Sequence, residues 1–298
     1  MSTFNGSRHV AQQIESILVQ LPENGRLLIR DDGSSDATVA IARSASDHRV
    51  SISCGENIGF ARSFLELLAN APSDADLYLL ADQDDVWLPG KIDRAWQFLA
   101  PFHEQVALYC ARATLTDPSL RPIGLTPLHR PADNLRHALL QNIATGCTVA
   151  VTKPLKDLAT RTTSHAQISF HDWWLYVVAT AFGTVLFDEE PRTLYRQHSA
   201  NVIGMSGGKL RYIRILRYLV KTNWLQIANR QISAFRATFD AQLSDAQRKS
   251  VASLQKEGGA LNRRGILFSA KPVANTMTAD LLLRALVFAD PRETTVNG

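Results

Sequence analysis

Short apolar runs alternate with helix-period patterns along the first 115 residues. Arg26–Arg30 (RLLIR) reads as a strand that stops in the turn-rich segment Asp31-Asp32-Gly33-Ser34-Ser35-Asp36. Ala37, Val39, Ala40 and Ile41 then begin a helix, for which Ser34, Ser35 and Asp36 are all competent N-caps. Val50–Cys54 is a second strand, and Asn57-Ile58-Gly59-Phe60 turns into a helix carrying Leu65, Leu67 and Leu68. Asp76–Ala81 is a third strand that runs straight into Asp82-Gln83-Asp84-Asp85. A helix over Lys91–Leu99 and a strand over Val106–Ala113 follow. This alternation predicts an α/β fold with a doubly wound, mostly parallel sheet. Ligands of such sheets bind at the carboxyl ends of the strands, so both acidic segments should open onto one crevice.

Beyond Ala138 the pattern is mixed, with a strand expected at Cys147–Val151 and an apolar helix from Trp173. Lys209 to Gln242 reads as a long helix or helix pair, and Ser244–Gly258 as another helix. Gly204-Met205-Ser206-Gly207-Gly208 is the best linker, which divides the chain into residues 1–204 and 209–298. The longest apolar stretch, Trp173 to Phe187, falls short of the roughly 20 residues a spanning helix needs.

Composition adds one contrast. The 298 residues are 45% hydrophobic and 20% charged, which fits a globular protein and excludes a disordered one. Residues 1–204 hold 17 Lys+Arg against 22 Asp+Glu, whereas residues 205–298 hold 15 against 6. An acidic front and a basic back imply different partners. Cys54, Cys110 and Cys147 form no CxxC pair, which argues against a disulfide scaffold or structural zinc. A reduced, cytoplasmic chain fits, and no signal peptide is visible. No aromatic-interleaved basic groove points to nucleic acid.

Asp82–Asp85 is the strongest chemical signal. Carboxylates at i and i+2 after a strand can meet one divalent cation, and hard oxygen ligands suit Mg²⁺ or Mn²⁺. Such an ion would neutralise a leaving pyrophosphate. The competing reading is an acidic turn in which Asp84 or Asp85 only caps the helix near Trp87.

Seven ordered segments resemble glycosyltransferase family 2, and most closely its rhamnosyltransferase-like branch. They are Thr3–Gly6, Asp31–Asp36, Asn57–Phe60, Asp82–Trp87, Thr145–Thr148, His171–Trp174 and Tyr195–Asn201. The resemblance covers residues 1 to about 204. It implies a GT-A fold, a dTDP- or UDP-linked sugar donor, Mg²⁺ or Mn²⁺, and inversion at the anomeric carbon. It further implies that Thr3, Asn5, Asp31, Asp32, Asn57 and Asp82 bind the nucleotide part, with Asp84 as metal ligand. Asp172 resembles the general base. An acceptor hydroxyl needs such a carboxylate to take its proton, and inversion needs only one. Asp172 would also serve as a cap for the following helix. His198 is a candidate third metal or diphosphate ligand with a structural role as the alternative, and Arg196 could contact phosphate. Gly146 lets backbone approach the sugar, and Cys147 reads as a packed residue with no base partner.

The chain departs from the family at its start, where Met1 stands almost at the first motif and the first strand is expected to be missing. In the basic region, Arg211, Arg214, Arg217 and Lys221 share a helical stripe beside Leu210, Ile213, Leu216, Leu219 and Val220, with aromatic Tyr212, Tyr218 and Trp224. Such a helix either packs on the catalytic domain or lies on an anionic membrane face, which would suit a lipid-linked saccharide acceptor. The resulting expectation is a metal-dependent transferase that builds a bacterial surface polysaccharide from a rhamnose donor. Its rivals are a UDP-hexose transferase, a sugar-phosphate nucleotidyltransferase and a truncated sugar-nucleotide-binding module with little activity.

Overall fold

The computed structural model describes residues 1–131, 134–162, 167–197, 219–256, 258–270, 272, 274 and 277–289. Its opening layer is a three-stranded parallel sheet of β1 (Ser2–Thr3), β2 (Leu27–Asp31) and β3 (Val50–Cys54), in that order. Ser2 pairs with Arg30 and Thr3 with Asp31, so the first motif runs beside the start of the second. Where the sequence reading expects a missing strand, the two residues of β1 are in place. A cleft of about 1010 Å³ lies alongside them, lined by Leu27, Leu68, Tyr78, Leu80 and Trp87.

A second sheet runs β10 (Thr184–Asp188), β6 (Ala107–Ala111), β9 (Ala150–Thr152) and β4 (Leu77–Leu79). β10 and β6 are parallel, whereas β9 lies antiparallel between β6 and β4. A third sheet orders β5 (Val86–Trp87), β11 (Thr193–Arg196), β7 (Thr114–Thr116) and β8 (Pro122–Leu125). The expected single strand over Val106–Ala113 is thus β6 alone, and the chain turns at Arg112 into the separate hairpin β7–β8.

Helices pack where their apolar spacing requires. In α1 (Val10–Leu18), Val10, Gln13, Ile14 and Ile17 make the buried i, i+3, i+4, i+7 stripe, covering β2 with α2 (Thr38–Arg43). α3 (Phe60–Asn70) starts after Gly59, whose φ of 85° a residue with a β-carbon rarely adopts. α4 (Lys91–Leu99) and α6 (Lys153–Ala159) flank the second sheet, and α5 (Leu135–Leu140) packs on the helices that follow them. The expected helix at Trp173 begins two residues earlier, as α7 (His171–Phe182), which is buried nearly all round. It ends at Gly183, where a β-carbon would sit 1.8 Å from the Val106 carbonyl oxygen.

α8 (Trp224–Phe239) packs against α7 in the largest core cluster. Trp173 and Trp224 stack with ring centres 4.9 Å apart and planes within 4°. Burying aromatic pairs of this kind contributes roughly 1 kcal/mol beyond area alone. Among the described residues, three further helices follow: α9 (Asp245–Ala252), α10 (Arg263–Leu267) and α11 (Met277–Ala289). The long helix expected over 209–242 is therefore seen as α8, while Arg211, Tyr212, Arg214, Arg217, Tyr218 and the Gly204–Gly208 linker lie outside the described residues. Among the described residues, no helix is long and apolar enough to cross a membrane.

Candidate active site

The acidic turn after β2 is held by its own hydrogen bonds. Asp31 accepts from Thr3 Oγ1 at 2.9 Å, from the Ser34 amide at 2.8 Å and from Ser34 Oγ at 2.6 Å. Asp32 pairs with the Arg30 guanidinium and accepts the Ile58 and Gly59 amides at 2.9 Å each. Asp32 therefore carries the segment containing Asn57 against the turn. Asn5, at φ 47°, accepts from the Ser35 amide at 2.9 Å while its own amide donates to Ser34 Oγ. Asp36 accepts from the Thr38 hydroxyl and the Ser7 amide, and these bonds hold its carboxyl well below the usual range. Thr3, Asn5, Asp31, Asp32 and Asn57 thus form one neighbourhood at the carboxyl ends of β1–β3.

The second neighbourhood follows β4. Gln83 links the two: its Oε1 accepts the Phe4 amide and its Nε2 donates to the Phe4 carbonyl, both at 2.9 Å. A β-carbon on Gly6 would stand 2.1 Å from Gln83 Oε1, so glycine permits this contact. Beside Gln83, half-buried Asp82 has its carboxyl pushed well above the usual range by burial, and next by the charges of Asp85, Asp84 and Asp172. Asp85 is buried and pushed up to about 7 by burial and by Asp84. Its Oδ1 accepts the Arg196 amide at 3.1 Å, the Cys147 thiol lies against the carboxylate, and Oδ2 has no hydrogen-bond partner.

Asp172 lies in the first turn of α7 and accepts its neighbouring amide, Trp173 N, at 2.7 Å. Burial lifts its carboxyl to about 6, against hydrogen bonds from Trp173, Asn142 and Gly146. Gly146 adjoins it, since a β-carbon there would be 3.6 Å from Asp172 Oδ2 and 3.3 Å from His171 Nε2. His171 stacks on Phe64 at 4.0 Å, and burial lowers its imidazole to about 3, which keeps it neutral. Four carboxylates, Asp82, Asp84, Asp85 and Asp172, therefore influence one crevice.

One side chain sits differently from the sequence expectation. Arg196 is buried, and its guanidinium donates to the Asp84 carbonyl at 2.8 Å, the Pro118 carbonyl and Gln12 Oε1 at 2.9 Å. It braces the acidic loop from behind, and those donors are taken by protein rather than offered to phosphate. Among the described residues, Asp82, Asp85 and Cys147 offer potential metal-ligand atoms within 4.8 Å of one another. His198 lies outside the described residues.

Lys91 and Gln83 went unnoticed as functional residues in the pattern of the chain. Lys91 is buried; its ammonium donates to the Cys147 carbonyl at 2.5 Å and Thr193 Oγ1 at 2.7 Å and lies over the Trp87 ring. Burial lowers it to about 8. The one sequence signal was a lysine opening a helix directly after the acidic segment. Cys147 is fully buried, and burial, followed by the charges of Asp85 and Asp82, pushes its thiol well above its usual range. The carboxylate oxygens of Asp82 and Asp85 in this group are hard donors of the kind a divalent cation takes.

Comparison with known proteins bears on the family and the fold. The chain is 27% identical over 237 residues to the dTDP-rhamnosyl transferase RfbG of Shigella flexneri, covering 75% of this chain and 80% of that protein. It is 33% identical over 104 residues to the putative glycosyltransferase EpsE of Bacillus subtilis, a match covering 33% of this chain and 36% of EpsE. In fold it resembles S. aureus TarS 1–349 solved with UDP-GlcNAc, at a TM-score of 0.53 and 14% identity, covering 97% of this chain and 87% of that one. Residues 1–154, which hold both acidic turns and Gly146, match the profile of glycosyl transferase family 2. The chain is accordingly a member of glycosyl transferase family 2 and a nucleotide-sugar-dependent transferase.

Proposed function

We propose that the chain transfers rhamnose from a dTDP-linked donor to a saccharide hydroxyl, with inversion, as a step in making a surface polysaccharide. The observation that carries this reading is Asp172, a carboxyl lifted to about 6 in the crevice that also holds Asp82. The acceptor oxygen attacks the anomeric carbon, its proton passes to Asp172, and the bond to the nucleoside diphosphate breaks. A base that titrates near 6 is ionised at neutral pH and close enough in basicity to share a proton during attack. Thr3, Asn5, Asp31, Asp32 and Asn57 receive the nucleoside, and Gly146 leaves room for the sugar beside Asp172. Asp82 and Asp84 would hold Mg²⁺ or Mn²⁺, which would neutralise the departing diphosphate. The name of RfbG supports the rhamnosyl donor. A UDP-hexose donor is the second reading, favoured by the UDP-GlcNAc bound to TarS.

Asp172→Asn tests the assignment. Transfer should fall about 10³-fold, within the usual range for a positioned base, while donor affinity and the unfolding midpoint stay near wild type. Wild-type kcat should also rise with pH through about 6 as Asp172 ionises, and the variant should lack that limb. Near-wild-type turnover in the variant would remove Asp172 from the reaction. Turnover of UDP-GlcNAc but not dTDP-rhamnose would move the donor to the second reading.

A further inference from the structure

α11 is held on the protein by one face and bare on the other. Leu283, Leu286 and Val287 are buried, and Arg263 donates to the Val287 carbonyl. Arg284 pairs with Asp280 at 2.8 Å and donates to the carbonyls of Leu267 at 2.6 Å and Ser269 at 3.1 Å. These bonds hold the chain on both sides of Phe268 against α11. Phe268 is 82% exposed, Met277 81%, Leu281 62% and Phe288 82%. Positions 277, 281 and 288 fall on one side of a helix, and exposed Ala285 continues the line. The two charged residues of α11, Asp280 and Arg284, are occupied with each other and with the protein, so none interrupts the bare stripe.

Single exposed apolar residues are ordinary, but a continuous stripe of large ones marks a contact surface. The charge distribution selects the occupant. Residues 205–298 hold 15 Lys+Arg against 6 Asp+Glu, and exposed Arg264 lies one turn before Phe268. A helix of 13 residues is roughly 20 Å long at 1.5 Å per residue, too short to span a bilayer but suited to lie along one. Rings and aliphatic chains on one side with an arginine at the rim, on a segment of net positive charge, are what an anionic lipid interface binds. We infer that α11 and Phe268 form a docking face for an anionic phospholipid surface, with Met277, Leu281, Phe268 and Phe288 entering the acyl boundary. The inference stands apart from the donor and base assignments, and it concerns a different element from the basic stripe at 211–221.

Co-sedimentation of the full chain with vesicles tests it. Binding should be clear with phosphatidylcholine containing phosphatidylglycerol and at least tenfold weaker with phosphatidylcholine alone. The variant Phe268→Ser/Leu281→Ser/Phe288→Ser should lose at least tenfold in partitioning to the anionic vesicles. Its thermal midpoint and its hydrolysis of a soluble nucleotide-sugar donor should stay near wild type. Arg264→Gln alone should weaken binding by a few-fold, and added salt should reduce the wild-type value. The inference is overturned if the wild type stays in the supernatant, or if the triple variant binds as tightly. It is equally overturned if sedimentation shows a wild-type dimer that the triple variant turns into monomer, since the stripe would then belong to a second copy.

Discussion

The two acidic turns look alike in sequence and behave oppositely in the fold. In the turn after β2, each carboxylate is met by hydroxyls, amides or the Arg30 guanidinium, so the turn is complete as it stands. In the turn after β4, Asp82, Asp84 and Asp85 crowd one another, and burial leaves at least one oxygen without a partner. One turn is a finished shape at the carboxyl ends of β1–β3; the other gathers carboxyl groups that its surroundings do not fully meet. Counting acidic residues does not distinguish the two. What matters is whether the following residues offer donors: Ser34, Ile58 and Gly59 do so for the first turn, whereas the second is approached by Lys91, the Cys147 thiol and the Arg196 amide, all from distant parts of the fold or the next helix.

The sharpest way to break this comparison is Asp32→Ala. Removing one partner of a buried pair leaves the Arg30 charge uncompensated, with only Glu66 at 3.4 Å in reserve. About 3 kcal/mol of stability should be lost, read from urea unfolding. A loss below 1 kcal/mol would mean the first turn is not self-satisfied.

The second turn should respond to ligand instead. Mn²⁺ at about 100 times its dissociation constant should stabilise the wild type by about 2.7 kcal/mol, seen as a rise in thermal midpoint. Asp84→Asn should remove most of that rise while leaving the ion-free midpoint unchanged or higher. An equal rise in the variant would separate Asp84 from the cation.

The smallest effect concerns pH. Asp85 is raised in the folded state, so between about 4 and about 7 the folded chain binds more protons than the unfolded one. Stability from this group is therefore present at low pH and lost as pH rises towards 7. The neighbouring Lys91 and His171 are lowered and push the overall curve the other way, so the difference from Asp85→Asn is the quantity to measure. Wild type should lose on the order of 2 kcal/mol relative to the variant across that interval. A flat difference would show that Asp85 carries no such penalty.

Much of the site was legible because its residues occur in local runs. β2, β3, α3 and α4 lie close to where apolar spacing puts them, and both acidic turns follow strands as expected. Long-range placement was not legible. Nothing near residues 150–152 announces that β9 enters antiparallel between β6 and β4, because that register is set by strands some 40 and 70 residues away. The Phe4–Gln83 pair bridges 79 residues and depends on Gly6 having no side chain. Val86–Trp87 is too short to show a period, yet it pairs with β11 and so brings Arg196 behind Asp85. The first turn of α7 was misplaced by two residues because His171 and Asp172 are polar, whereas His171 is buried there against Phe64.

The stack of Trp173 on Trp224 has a consequence for chimeras of this chain. The indole that follows Asp172 is completed by a ring from α8, so the neighbour of the proposed base has its position set by sequence some 50 residues downstream. Exchanging the C-terminal segment for that of another member would retune catalysis, even if every motif before it stayed intact. Grafts that carry a flat aromatic residue at the place of Trp224 should transplant cleanly, and those that bring an aliphatic one should not.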